Sequence, residues 1–162
     1  MKTRYLIDTC SLIALEEHYN PNNIVFKLLW DRIHKLLGNN DLLICSEVYD
    51  ELKDGSSIRD TLKPYSKSFL HLTKEVQDRT KDILSDCPGL IKLQSKGNSG
   101  ADPFLIAIAD LNKFTIITEE HYDVSLDKNP NRYNIPKVCM QRQIKYITLS
   151  EFLSLDIINS DI

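Results

Sequence analysis

The sequence predicts an α/β protein, a three-layer α/β/α sandwich around a mostly parallel central sheet, and three observations lead there. Short runs apolar on both faces, such as Tyr5-Leu6-Ile7, Leu42-Leu43-Ile44-Cys45 and Phe114-Thr115-Ile116-Ile117-Thr118, have the composition of strands covered on both sides. Segments with helical spacing of apolar residues separate those runs, which calls for right-handed crossovers between parallel strands. The 162 residues are 42% hydrophobic and 27% charged, enough for one domain with its own core, so residues 1–162 are read as a single domain.

Element by element, Tyr5-Leu6-Ile7 ends abruptly at Asp8, and Thr9-Cys10-Ser11 leads into Leu12-Ile13-Ala14-Leu15, a strand, a polar turn and a helix start. Over residues 22–37, Ile24, Leu28, Leu29, Ile33, Leu36 and Leu37 recur at helical spacing, and Gly38-Asn39-Asn40 stops the helix. Phe26 and Trp30 fall on its core or interface side. The run 42–45 is a second strand, after which Ser46 is placed to N-cap a helix from Glu47 to Lys53, stopped by Gly55. Residues 57–87 read as polar, peripheral helices with an apolar face from Leu62, Phe69, Leu70, Leu72, Val76, Ile83 and Leu84, broken by Pro64. Pro88-Gly89 marks a turn, Leu90-Ile91-Lys92-Leu93 is too short to assign, and Gly97-Asn98-Ser99-Gly100 is a flexible loop. Asp102-Pro103 opens an almost wholly apolar, buried helix through Ala109, and Phe114–Thr118 is the best strand in the chain. A polar loop, 127–134, precedes the apolar run Ile135–Cys139, a strand around Tyr146-Ile147 and a last helix from Ser150.

Bulk properties narrow the function classes. A net charge of −3 argues against a protein that grips nucleic acid with a broadly basic surface, but not against a nuclease whose carboxylates gather cations. No apolar run approaches the roughly 20 residues of a membrane span, and Asp8 comes too early for a signal peptide, so a cytoplasmic protein without a membrane partner is expected. Cys10, Cys45, Cys87 and Cys139 are far apart, form no metal-binding spacing, and read as reduced and mostly buried.

The chemistry lies in acids. Ligands of open α/β sheets bind beyond the carboxyl ends of the strands, near the point where strand order reverses. Asp8 follows the first strand, Glu51 lies in the helix after the second, Asp102 opens the buried helix, and Glu119-Glu120 end the strand 114–118. Four segments thus send carboxylates, Asp8, Glu51, Asp102 and Glu120, to one rim. Such a cluster persists when cations neutralise it, and hard oxygen ligands select Mg²⁺ or Mn²⁺. Each acid also has a bland role: Asp8 and Asp102 as helix caps, Glu51 as a solvated helix carboxylate, Glu119 and Glu120 as loop charges.

The segments Tyr-Leu-Ile-Asp-Thr-Cys-Ser-Leu-Ile at 5–13, Val-Tyr-Asp-Glu-Leu at 48–52, Ala-Asp-Pro-Phe-Leu-Ile-Ala-Ile-Ala at 101–109 and Ile-Ile-Thr-Glu-Glu at 116–120 occur in an order that resembles the PIN domain family, in particular its PIN-like DUF4411 branch of bacterial proteins. The resemblance implies a nuclease that uses Mg²⁺ or Mn²⁺ to cleave RNA, often the toxin of a toxin–antitoxin pair, so an antitoxin protein and a homodimer are implied partners. It also implies that Asp8, Glu51, Asp102 and Glu120 are the first to fourth acids, with hydroxyls of Thr9 and Thr118 orienting water or a carboxylate. The family's usual fourth acid is Asp, and here Glu119 and Glu120 compete for that place. The leading expectation is a metal-dependent endoribonuclease. The alternatives are a catalytically weak PIN-like binding or scaffold module, and a DNA or flap-type nuclease.

Among other residues, His121 adjoins Glu120 and could carry a proton or simply be a surface group. Lys53, Arg59 and Lys63, or Lys92, Lys96, Lys137, Arg142 and Lys145, could steer a phosphate backbone or be ordinary solvated cations.

Overall fold

The computed structural model of the chain describes residues 2–90, 100–129, 131–155 and 158. Four strands, β1 (Tyr5–Ile7), β2 (Leu42–Leu43), β3 (Thr115–Ile117) and β4 (Tyr146–Ile147), form one sheet in the order β2-β1-β3-β4. All pairings are parallel: Leu6 stands opposite Leu43 on one side and Ile116 on the other, and Ile117 opposite Ile147. Helices α1 (Thr9–His18), α2 (Lys27–Gly38), α3 (Ser46–Glu51), α4 (Ser57–Leu62), α5 (Lys74–Asp86), α6 (Asp102–Asn112), α7 (Ile135–Arg142) and α8 (Leu149–Leu153) complete the α/β/α architecture. Leu6, Ile7, Ile116 and Ile117 are fully buried, as strands covered on both faces must be. Strand order reverses between β1 and β3, which leave the sheet at Asp8 and Thr118.

Several elements differ from the sequence reading, each for a local reason. β2 stops at Leu43 because the rest of its apolar run pairs elsewhere: Leu70 N–H donates to the Ile44 carbonyl, and Ser46 N–H to the Leu70 carbonyl, both at 2.9 Å. Ser46 is the first residue of α3 and not its cap; Cys45 holds the cap position, and the Ser46 hydroxyl donates to Glu47 and to Leu70 O. The helices of 57–87 turn one apolar face inward. Ile58, Leu62, Val76 and Ile83 are buried, and α5 packs along α6, its Val76, Thr80 and Ile83 stripe having the spacing of a core-facing helix. The run from Ile135 is helix α7, started by Asn134 Oδ1 accepting from Lys137 N–H and by Pro136 in the first turn. Trp30 is core, its indole N–H donating to Tyr19 O at 2.6 Å. Residues 91–93 and 97–99 lie outside the described residues. Among the described residues, no helix is long and apolar enough to cross a membrane.

The turn at Pro88-Gly89 has a tertiary reason. A Cβ on Gly89 would fall 1.7 Å from the main-chain oxygen of Asn131, so glycine allows two backbones to touch. Gly89→Ala must displace the 131 region and should destabilise the protein by about 1–3 kcal/mol, read as a lower urea midpoint at unchanged m value. An unaltered midpoint would refute the close approach.

Candidate active site

The site is assembled at the carboxyl ends of β1 and β3, where strand order reverses. Asp8 is 2% exposed and has two functions at once. It caps α1, Oδ1 accepting from Ser11 N–H at 2.7 Å, and Oδ2 accepts from Thr118 Oγ1 at 2.6 Å. Thr118, itself fully buried, also accepts from Glu120 N–H at 3.0 Å. One hydroxyl therefore joins the Asp8 carboxylate to the Glu120 main chain.

Glu51 is the last residue of α3. Its Oε2 accepts from Thr9 Oγ1 at 2.6 Å and its Oε1 from Ala101 N–H at 3.0 Å, which ties the start of α1 to the start of α6. Asp102 is the first residue of α6, while Ala101 takes the cap position without a side-chain bond. The capping role open to Asp102 in the sequence is therefore not the one observed. Glu120 Oε2 accepts from Ile135 N–H at 2.8 Å, and Glu119 Oε1 from Leu149 N–H at 3.0 Å. The two adjacent glutamates thus meet the first turns of α7 and α8 respectively, where exposed N–H groups favour negative charge.

Burial and charge bear on two groups of the site. Burial pushes the Asp8 carboxyl above the ordinary carboxylate range; the bonds from Ser11 and Thr118 oppose this and the charge of Glu119 adds to it. Cys10 is exposed as a residue, yet its thiol is pushed up to about 12, by burial first and then by Asp8, Glu120, Asp102 and Glu51. A thiol so held is a poor nucleophile near neutral pH.

Residues 5–159 match the family model described as Domain of unknown function (DUF4411). The chain belongs to the DUF4411 family. No curated protein matches it.

The four acids of this DUF4411 domain are hard oxygen donors, in kind the set that suits Mg²⁺ or Mn²⁺. Among the described residues, no three His, Cys, Asp or Glu side chains are grouped so as to hold a metal ion. Asp8 and Glu51 each hold protein donors on both oxygens. Carboxylate oxygens keep further lone pairs for a cation, so the donor chemistry fits such an ion.

The cations singled out in the sequence do not behave as a set. Arg59 Nη1 donates to the carbonyls of Tyr49 and Leu52, closing the end of α3 beside Glu51, and its guanidinium lies 4.5 Å from the centroid of the Tyr49 ring. Arg142 pairs with Asp86 and Asp110, and Lys137 is buried. Lys53, Lys63 and Lys145 are exposed, and His121 is also exposed; Lys92 and Lys96 lie outside the described residues. Sequence reasoning missed Ser11, Ala101 and Ile135, which act through main-chain N–H groups that carry no side-chain signature.

Proposed function

We propose that this DUF4411 domain is PIN-like and acts as a metal-dependent endoribonuclease, with Asp8, Glu51, Asp102 and Glu120 holding Mg²⁺ or Mn²⁺. The observation that supports this best is geometric: at the reversal of strand order Thr118 joins the Asp8 carboxylate to the Glu120 main chain, and Thr9, next to Asp8, holds Glu51. When bound, such an ion neutralises charge on a phosphodiester and lowers the pKa of a water. The chain's own part is to fix the acids. Thr118 orients Asp8, and Thr9 with Ala101 N–H orients Glu51. Ile135 N–H orients Glu120, while Glu119 is engaged by α8.

Purified wild-type and Asp8→Asn/Asp102→Asn proteins, incubated with bacterial RNA in Mn²⁺, Mg²⁺ or EDTA and read by 5′-end sequencing, test this. Cutting at defined positions by metal-loaded wild type alone is expected; equal cutting by the double variant would sink the proposal. A matched DNA substrate separates an RNA enzyme from a DNA or flap-type nuclease. Toxin action, an antitoxin partner, a homodimer and a cytoplasmic location belong to the same proposal and follow the outcome.

A second reading, a PIN-like binding or scaffold module, draws on two observations: the protein donors already held by Asp8 and Glu51, and the lack of a three-ligand group among the described residues. Metal-dependent turnover would remove it.

Thr118 offers a sharper test. Thr118→Val keeps the shape but removes the donor to Asp8 and the acceptor of Glu120 N–H. The expected loss is about 1–3 kcal/mol of stability for the unsatisfied buried groups and about 10- to 100-fold in metal affinity or cleavage. Thr118→Ser should retain both. Equal behaviour of Val and Ser in melting and cleavage assays would show that the hydroxyl does not organise the site.

A further inference from the structure

Lys137 lies in α7 and is 5% exposed. Among the described residues no carboxylate meets its ammonium. Nζ donates instead to three main-chain carbonyls, those of Leu126 at 2.7 Å, Arg132 at 2.9 Å and Asn129 at 3.4 Å. It also stands 4.4 Å from the centroid of the Tyr133 ring, close enough for the cation to be attracted to the ring face. An ammonium has three donors in all, and all three are used on one loop, the segment between Glu120 and Ile135.

Both ends of that loop are tied at the candidate site. Glu120 Oε2 accepts from Ile135 N–H at 2.8 Å, Asn134 Nδ2 donates to His121 O at 2.9 Å, and Asn134 Oδ1 accepts from Lys137 N–H at 3.0 Å. The same lysine thus holds the middle of the loop through its side chain and the end of the loop through its backbone. We propose that Lys137 is a positioning residue: it clamps the 121–134 loop against α7 and thereby fixes the first turn of α7, where the Glu120 carboxylate is held. The clamp stands on geometry alone, and only its effect on Glu120 rests on the four-acid reading.

Lys137→Met keeps the length of the stem and removes the donors, leaving three carbonyls to water. Lys128 and Arg132 are exposed in the loop and serve as built-in trypsin sites. Well below the melting midpoints, cleavage after these two residues should be at least about tenfold faster in Lys137→Met than in wild type, with other sites unchanged, because local opening sets the rate. Mn²⁺ affinity by calorimetry should fall by about tenfold, the lower end for losing a group that orients a ligand. Asn134→Ala, which cuts the tie at the end of the loop and leaves the ammonium cage, should weaken Mn²⁺ similarly while Lys128 and Arg132 stay protected. Unchanged trypsin cleavage in Lys137→Met overturns the clamp, and faster cleavage with unchanged Mn²⁺ affinity overturns the link to Glu120. If Lys137→Met does not fold, Asn134→Ala decides: unaltered Mn²⁺ affinity overturns the link. If wild type binds no Mn²⁺, the four-acid reading fails and takes the link with it, while the trypsin comparison still judges the clamp.

Discussion

Asp8→Asn will melt higher than the wild type at pH 7 in the absence of metal and will lose at least about 100-fold in metal-dependent cleavage. The two effects have one cause. The Asp8 carboxylate is buried, its pKa is raised chiefly by that burial, and Glu119 adds a like charge. A carboxyl with a folded-state pKa above its unfolded value contributes stability that is fully present below the unfolded pKa and lost as pH rises through the folded pKa. The wild type loses that contribution as pH rises through its raised folded-state pKa, whereas Asn keeps a neutral group in the same place at every pH. Its Oδ1 can accept from Ser11 N–H, and its Nδ2 can donate to Thr118 Oγ1 once that hydroxyl turns. The gain in melting temperature should be a few degrees and should shrink as the buffer is taken towards pH 4. Calorimetric melts of both proteins across that range measure it. The loss of cleavage follows from removing a ligand whose ion contributes several kcal/mol to charge stabilisation, at 1.36 kcal/mol per tenfold. Added Mn²⁺ should raise the melting temperature of the wild type and leave Asp8→Asn almost unmoved, as binding to the native state alone requires. A variant that melts lower than wild type at pH 7 would overturn the electrostatic account, and one that cleaves normally would overturn the assignment.

Phe152→Ala should cost about 3–5 kcal/mol, the usual loss for emptying a core position of this size, and lower the melting temperature by about 10 °C. Phe152 is fully buried and meets the Tyr5 ring edge-on at 5.2 Å. It sits in α8, five residues long, too short to be stable alone. The helix exists because Phe152 anchors it and because Thr148 and Glu151 close a capping box at its start. The Leu149 N–H that meets Glu119 belongs to the same turn, so the substitution should disturb Glu119 far more than Glu120, whose partner is on α7. Urea unfolding measures the loss directly, and a cost below about 1 kcal/mol would show that the site had collapsed without strain.

Much of the fold is written locally. Strands β1 and β3 and the middle of helix α6 are mostly apolar and buried, which leaves few alternatives for such runs, so their type and order can be read from composition. The positions of Asp8, Glu51 and Asp102 follow from the same reading, because each borders or lies at the end of an element, and Glu120 follows β3 by three residues. The second half of the Leu42–Cys45 run illustrates the opposite case. Its β character was legible, but its partner, Leu70, lies 25 residues away in a segment without strand periodicity. Helix α7 was illegible for a related reason: Ile135–Cys139 is five buried residues, and a run that short carries no period.

By itself, then, the sequence determined the α/β class and the parallel sheet and singled out Asp8, Glu51, Glu119 and Glu120 among its carboxylates, since burial and strand order are consequences of side-chain chemistry repeated along the chain. Only the tertiary structure decided which groups hold those carboxylates. Ser11, Ala101, Ile135 and Leu149 contribute main-chain N–H groups, which every residue but proline possesses, so only their three-dimensional placement distinguishes them. It also decided that Lys137, in sequence one more surface cation, is a buried clamp, because the carbonyls it needs come from a loop 5 to 11 residues away that has to fold back before they can meet.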